Sequence, residues 1–256
     1  MPANFPDMFQ GAQFGRDGNV PFAAQGAQYY ANIHMGQVRD AEDIRRSVVN
    51  IHQAKDISRA YQAAPTYQPE AEQHWRKLAE ETKHQFDFLT GSERRGGLGV
   101  DVEVHPNDPY VKFSGAPDPH GMMVDLNQNR RVKVLATATT GSHPFLSNDE
   151  NDMFRAIHDV FGHAATGRPF DPHGEEAAYR SHASMFSPEA RIAMAAETRG
   201  QNSVNNFGGL PRGEYAEQKV AIIPNINDVM PITNPHQFNV AQVQARRSMR
   251  YAFGRS

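Results

Sequence analysis

The chain has 256 residues, 26 basic and 29 acidic side chains, a formal charge of −3 and no cysteine. That length can bury the core of one domain or of two small ones, and the charge balance gives no global pull toward nucleic acid or an anionic membrane. The missing cysteine excludes disulfides, thiolate nucleophiles and thiolate-held metals, while oxygen and nitrogen ligands stay open.

Residues 1–37 are rich in Gly, Gln, Asn and Ala, with aromatic residues at Phe5, Phe9, Phe14, Phe22, Tyr29 and Tyr30 and no sustained period. They read as an extended arm that docks on its own domain or on a neighbouring subunit. Met1-Pro2-Ala3-Asn4-Phe5-Pro6 has neither the basic start nor the apolar core of a secretory signal, and no apolar run approaches membrane-spanning length. A cytosolic setting with no membrane is expected.

From Asp40 to Tyr61 the positions Ile44, Val48, Ile51 and Ile57 approximate one helical stripe. A second helix is expected from Pro69 or Glu70 to about Leu89, with Trp75, Leu78, Thr82, Phe86 and Leu89 inward and Gly91 at its exit. His74 and His84 read as surface groups. Arg94-Arg95-Gly96-Gly97-Leu98-Gly99 lacks the ending of a phosphate-binding loop and reads as a structural turn. Four alternating runs follow, Val100–Val104, Tyr110–Phe113, Met122–Leu126 and Val132–Ala136, which predict a small antiparallel sheet with turns at Asp118–Gly121 and Asn127–Asn129.

The densest chemistry lies between His143 and Gln201. Ser147 and Glu150 fit a capping box ahead of a helix carrying Phe154, Ile157 and Phe161. Glu175–Phe186 and a helix opening at Ser187-Pro188 and reaching about Glu197 follow. Asn205–Pro211 reads as a loop, Tyr215–Ile223 as a short helix, and Phe238–Arg255 as a basic amphipathic helix. The fold class expected is α+β: a mostly helical single domain over residues 38–225, with a C-terminal extension over 226–256.

His158 and His163 are five residues apart, about 140° around an ideal helix. A shared ion therefore requires His163 at or beyond a break, and Gly162 offers that freedom. With Glu197 as third ligand, two imidazoles and a carboxylate would leave open positions, the arrangement typical of non-haem iron(II) sites, with Zn(II) or Mn(II) as alternatives. Asp159 is a candidate for orienting an imidazole or handling protons. Glu175 and His182 are candidates for outer partners of the ligands, a second-metal half-site or an acid–base pair, and Arg199, with Gln201, for holding a substrate carboxylate or locking the connector after Glu197. The competing reading makes the whole cluster a satisfied structural network that pins helix ends. Arg246, Arg247, Arg250 and Arg255 make a basic end, but the negative net charge argues against nucleic acid as a partner.

The stretches Asn151–His163, Gly174-Glu175-Glu176 and Glu197–Asn202 resemble a family of uncharacterised proteins associated with bacteriophages and phage-related bacterial loci. Ala216–Lys219 with Ile222–Pro224 looks like its closing motif, so the resemblance spans roughly residues 100–225. It implies a host-cell or virion setting but no activity. The aromatic-studded arm, the basic tail from Arg246-Arg247 to Arg255 and the modest apolar content give the competing expectation of a capsid- or connector-associated assembly protein, in which residues 1–37 contact virion proteins or further copies of the chain. A more distant similarity is to the pterin-dependent aromatic amino acid hydroxylases. Their iron-binding histidines have the spacing of His158 and His163, in a stretch ending leucine-glycine-histidine where this chain has Phe161-Gly162-His163. It implies iron, a small-molecule substrate, and Glu197 as the nearest match to their downstream glutamate ligand. This chain differs in having Asp159 where they have glutamate, in a shorter gap to Glu197, and in showing no recognisable pterin-stacking segment.

Overall fold

The computed structural model describes residues 18–226 apart from Val38 and Arg212. The basic helix expected over Phe238–Arg255 and the first 17 residues lie outside that range.

Two helices form the scaffold around which the rest is packed. Helix α4 (Glu72–Thr90), entered through a 3-10 turn at Pro69–Ala71, buries Trp75, Leu78, Thr82, Gln85 and Leu89 along one face. Helix α7 (Asn148–His158) starts at the expected capping box, with both halves formed between Ser147 and Glu150. Against α4 and α7 pack helices α8 (Pro172–Ala183) and α9 (Pro188–Ala195), the second capped by Ser187 with Pro188 in its first turn.

Elsewhere the elements depart from the sequence reading. The stretch read as an arm contains helix α1 (Pro21–His34), whose buried face is Phe22, Ala23, Gly26, Ala27, Tyr30 and Ala31. Small residues make up most of that face, so the stripe has little hydrophobic contrast and no period was visible. They permit close approach: a Cβ on Gly26 would meet Leu98 at 2.8 Å. The single helix expected over 40–61 is split into α2 (Ala41–Arg45) and α3 (Ile51–Ala63), because Asn50 caps a new start by accepting from the His52 and Gln53 amides. Ile44 and Ile57 are buried, whereas Val48 and Ile51 stay exposed. His74, expected at the surface, is buried, with Nδ1 3.1 Å from the Glu189 carbonyl.

Among the described residues the only sheet is a pair, β1 (Asp101–His105) and β2 (Arg131–Leu135), in register Val102 to Val132. It is parallel, not antiparallel, because the run Met122–Leu126 is helical. Asp118 caps helix α5 (Pro119–Asn129) by accepting from the Gly121 amide, and Pro119 occupies its first turn. A helix between two strands returns the chain to the starting edge, which is the crossover a parallel pair needs. Met122, Met123 and Leu126, spaced as a helix face, are buried beneath it. Tyr110–Phe113 forms only an isolated bridge, Val111 to Pro117, and Tyr215–Ile223 is not helical but bridges through Val220 to Tyr67. The Gly-rich turn is structural as expected: a Cβ at Gly97 would lie 2.2 Å from the Gly91 carbonyl oxygen. No helix is long and apolar enough to cross a membrane among the described residues.

Candidate metal centre

Helix α7 does not end at Gly162. After His158 it widens into a π-helical segment, Asp159–Ala164, and then continues. Widening to i→i+5 bonding sets residues five apart above one another, so His158 and His163 share a face without a break. Gly162 allows close packing here rather than a bend. A Cβ at that position would sit 3.0 Å from the Cβ and 3.2 Å from the carbonyl oxygen of Ala178 on α8. Side chains hold the carbonyls of the wide turn: Ser181 Oγ donates to Phe161 O at 2.5 Å and Thr166 Oγ1 to Gly162 O at 2.7 Å.

Helix α8 starts earlier than the sequence suggested. Asp171 caps it, accepting from the Gly174 amide, with Pro172 in the first turn. Glu175 thereby falls in the first turn and faces the π segment. Its Oε1 is 3.5 Å from His163 Nε2 and its Oε2 3.8 Å from His158 Nε2, while Asn202 Nδ2 donates to Oε2 at 2.8 Å. One ligand atom from each of His158, His163 and Glu175 lies within 4.8 Å of the other two, and this group could hold a metal ion. The side chain of His163 is buried, while those of His158 and Glu175 are 13% and 18% exposed toward a cleft of ≈ 370 Å³.

The rings are fixed from behind. His163 Nδ1 sits 3.2 Å from the Arg168 carbonyl, which only accepts, so that nitrogen carries a proton and Nε2 presents its lone pair to Glu175 when the ring is neutral. His158 Nδ1 is 3.2 Å from His182 Nδ1, and His182 Nε2 is 3.1 Å from Gln85 Oε1. Burial alone would lift the Glu175 carboxyl, but His163 and His158, when protonated on the nitrogens facing it, outweigh that through the His163 charge first and then their N–H groups, and hold it well below the usual range. Burial works against a charge on His163 too, yet Glu175 pulls its pKa upward. Asp159, half-buried at the cleft wall, is pushed by desolvation up to about 6, against the opposing pull of His163 and His158. His182 is pushed well below 6.5 by burial, then by His158 and Arg39.

Glu197, expected as the third ligand, is not in this group. It lies on a second π segment, Ala196–Gly200, and lines the same cleft. Its Oε1 accepts from Trp75 Nε1 at 3.1 Å and His143 Nε2 at 2.9 Å, and its Oε2 from Gln201 at 2.8 Å. His143 Nδ1 itself accepts from the Phe145 and Leu146 amides, which places its proton on the nitrogen facing Glu197. Three N–H groups therefore occupy this carboxylate. Arg199, expected to meet a substrate anion, is turned away from the cleft. Its Nε and Nη2 reach Glu176 at 2.9 and 2.5 Å, Nη1 donates to Ile226 O, and its plane lies over Tyr179. It clamps α8 to the chain after α10 (Gln201–Phe207).

Sequence reasoning chose Glu197 over Glu175 as third ligand, whereas it is Glu175 that converges with His158 and His163, and it gave no role to Gln85, His143 or Asn202. Gln85 carried a signal, being a polar residue on the apolar face of α4 between Thr82 and Leu89. The cleft's remaining walls bring in Tyr110, Lys133, Arg155 and Phe170, from the sheet side and the connector. No family model, curated protein or solved structure matches this chain.

Proposed function

We propose that the chain is a mononuclear metal-dependent enzyme in which His158, His163 and Glu175 hold one divalent ion at the wall of the cleft. The observation that carries this is the convergence of two imidazole Nε2 atoms and a carboxylate, each held from behind by a separate partner. Two neutral nitrogens and one oxygen anion fit a borderline divalent cation, and a three-ligand face with an open side favours Fe(II) over Zn(II) or Mn(II). When bound, such an ion supplies Lewis acidity and free coordination positions for water, dioxygen or substrate.

The chain's own residues supply the rest. Phe154 and Phe170 pack on the His158 and His163 rings and restrict water on that side. The Asp159 carboxyl, with a pKa lifted to about 6, can hold or release a proton near neutrality at the cleft wall. Lys133 and Arg155 make that wall suitable for a small, polar, anionic substrate, and Arg155 is steadied by its bonds to Leu135 O and Thr140 Oγ1.

Elemental analysis and calorimetry on the purified full chain test the proposal: about one Fe(II), Zn(II) or Mn(II) per chain is expected, and no stoichiometric binding would overturn it. A second reading is favoured by the 3.5 Å approach of His163 to Glu175, which a proton on Nε2 closes as well as a metal does. On that reading the cluster is a buried ion pair in an assembly protein, in line with the phage resemblance. It predicts no metal dependence of stability and a protein that assembles through residues 1–37.

A further inference from the structure

Behind His158 a chain of hydrogen bonds runs away from the cleft into the core. It passes through His182, which is fully buried, and ends at Gln85, also fully buried, on α4. The direction of every bond in it follows from the last. Gln85 Nε2 donates to the Met185 carbonyl at 3.0 Å, which orients the amide so that Oε1 faces His182. A carbonyl oxygen only accepts, so His182 Nε2 carries the proton at that contact. A neutral His182 then has a bare Nδ1. The nitrogen opposite, His158 Nδ1, must donate to it, and the remaining nitrogen of His158 is left with its lone pair directed to the cleft.

We propose that Gln85 and His182 are positioning residues that set the tautomer of His158, so that its Nε2 is free of a proton and ready to take a cation. The inference rests on the metal-centre reading for its purpose, but not for its observable. Ligand histidines generally owe their orientation and basicity to such an outer partner, most often a carboxylate or a main-chain carbonyl. Here a second imidazole takes that place, and it has no preference of its own: either of its nitrogens can carry the proton. The side-chain amide on α4 makes the choice. Without the Gln85 acceptor, His182 is free to place its proton on Nδ1. His158 would then accept at Nδ1 and carry a proton on Nε2, the atom that faces Glu175. A proton there blocks the lone pair and turns the ring into a simple donor to the carboxylate. One amide in the core thereby decides between a cation site and an ordinary histidine–glutamate hydrogen bond.

The test is long-range nitrogen–proton correlation NMR on the metal-free full chain at pH 8, with His158 assigned by comparison with His158→Asn. The wild type is expected to show His158 protonated at Nδ1 and bare at Nε2. In Gln85→Leu the His158 ring is expected to move toward the opposite tautomer, and Co(II) affinity to fall about 10–100-fold. Gln85→Glu retains an acceptor for His182 Nε2 and is expected to keep both the tautomer and, within about threefold, the affinity. A merely structural role for Gln85 would lower the melting temperature of both variants without moving the tautomer. A wild-type His158 protonated at Nε2, or a folded Gln85→Leu with unchanged tautomer and affinity, overturns the inference. The wild-type spectrum decides the matter even where Gln85→Leu does not fold. Failure of the wild type to bind Co(II) while showing the expected tautomer would remove the metal-centre reading and leave the relay standing.

Discussion

Two glutamates line the same cleft, Glu197 on the π segment Ala196–Gly200 and Glu175 on α8, facing the π segment Asp159–Ala164. What meets those side chains differs in kind. Glu197 is met by N–H groups from Trp75, His143 and Gln201, so its charge is answered inside the protein. Glu175 is met by one amide and by two imidazole nitrogens whose protons are engaged on the far side of each ring, or are drawn there by the relay. A carboxylate ringed by donors is complete, whereas one that faces acceptors requires a cation or a proton between them. Residue type does not separate the two glutamates; the identity of the atoms opposite them does.

The sharpest way to break this contrast is to neutralise each carboxylate in turn. Glu175→Gln removes one of the three proposed ligands, so its loss of metal affinity should exceed the about 10–100-fold that follows from losing an outer partner. Calorimetric titration with Zn(II) or Co(II) reads this. Glu197→Leu strands the Trp75 and His143 donors in the core. It should lose about 1–3 kcal/mol of stability for each, seen in urea denaturation. The folded fraction should still bind metal.

Smaller effects probe the packing that makes the first π segment serve as a site. Gly162→Ala pushes a methyl group against Ala178 and should cost about 1–3 kcal/mol, as overpacking does. Because α8 carries Glu175, the same change should weaken metal binding, whereas Gly96→Ala, which strains a left-handed turn at φ 85° but meets no neighbouring atom, should cost stability and leave binding unchanged. The smallest effect concerns pH. The folded state holds the Asp159 carboxyl neutral to about 6 instead of 3.8, so the folded protein binds more protons than the unfolded chain in that interval. With chelator present, this group therefore makes stability fall as pH rises from about 4 through about 6. Asp159→Asn should remove that fall and raise stability at pH 8 by on the order of 1–2 kcal/mol. The Glu175 and His163 shifts act in other directions. The lowered Glu175 pKa gives stability that is lost as pH falls below its ordinary range, and the raised His163 pKa gives stability that is lost as pH rises through it.

Much of this was legible in the chain because local chemistry marks helix starts strongly. Ser147 with Glu150, Ser187 with Pro188 and Gly91 at an exit were all read from residue type. Asp118-Pro119 and Asp171-Pro172 carry the same kind of start and were passed over. The first cost the helix between the strands and hence the direction of the sheet; the second moved the start of α8 from Glu175 back to Pro172, so that Glu175 closes the first turn instead of opening it. The π segments could not be read at all. Nothing in Asp159–Ala164 distinguishes a widened turn from an ordinary one, and only the packing of Gly162 on Ala178 and the Ser181 and Thr166 hydroxyls make it hold. Choosing between Glu175 and Glu197 required knowing where His143 and Trp75 lie, 54 and 122 residues away in the chain.

The most direct test places the ion. In crystals of the full chain soaked with Mn(II) or Co(II), the anomalous signal should fall between His158 Nε2, His163 Nε2 and the Glu175 carboxylate. A peak beside Glu197, or none at either π segment, would contradict the account.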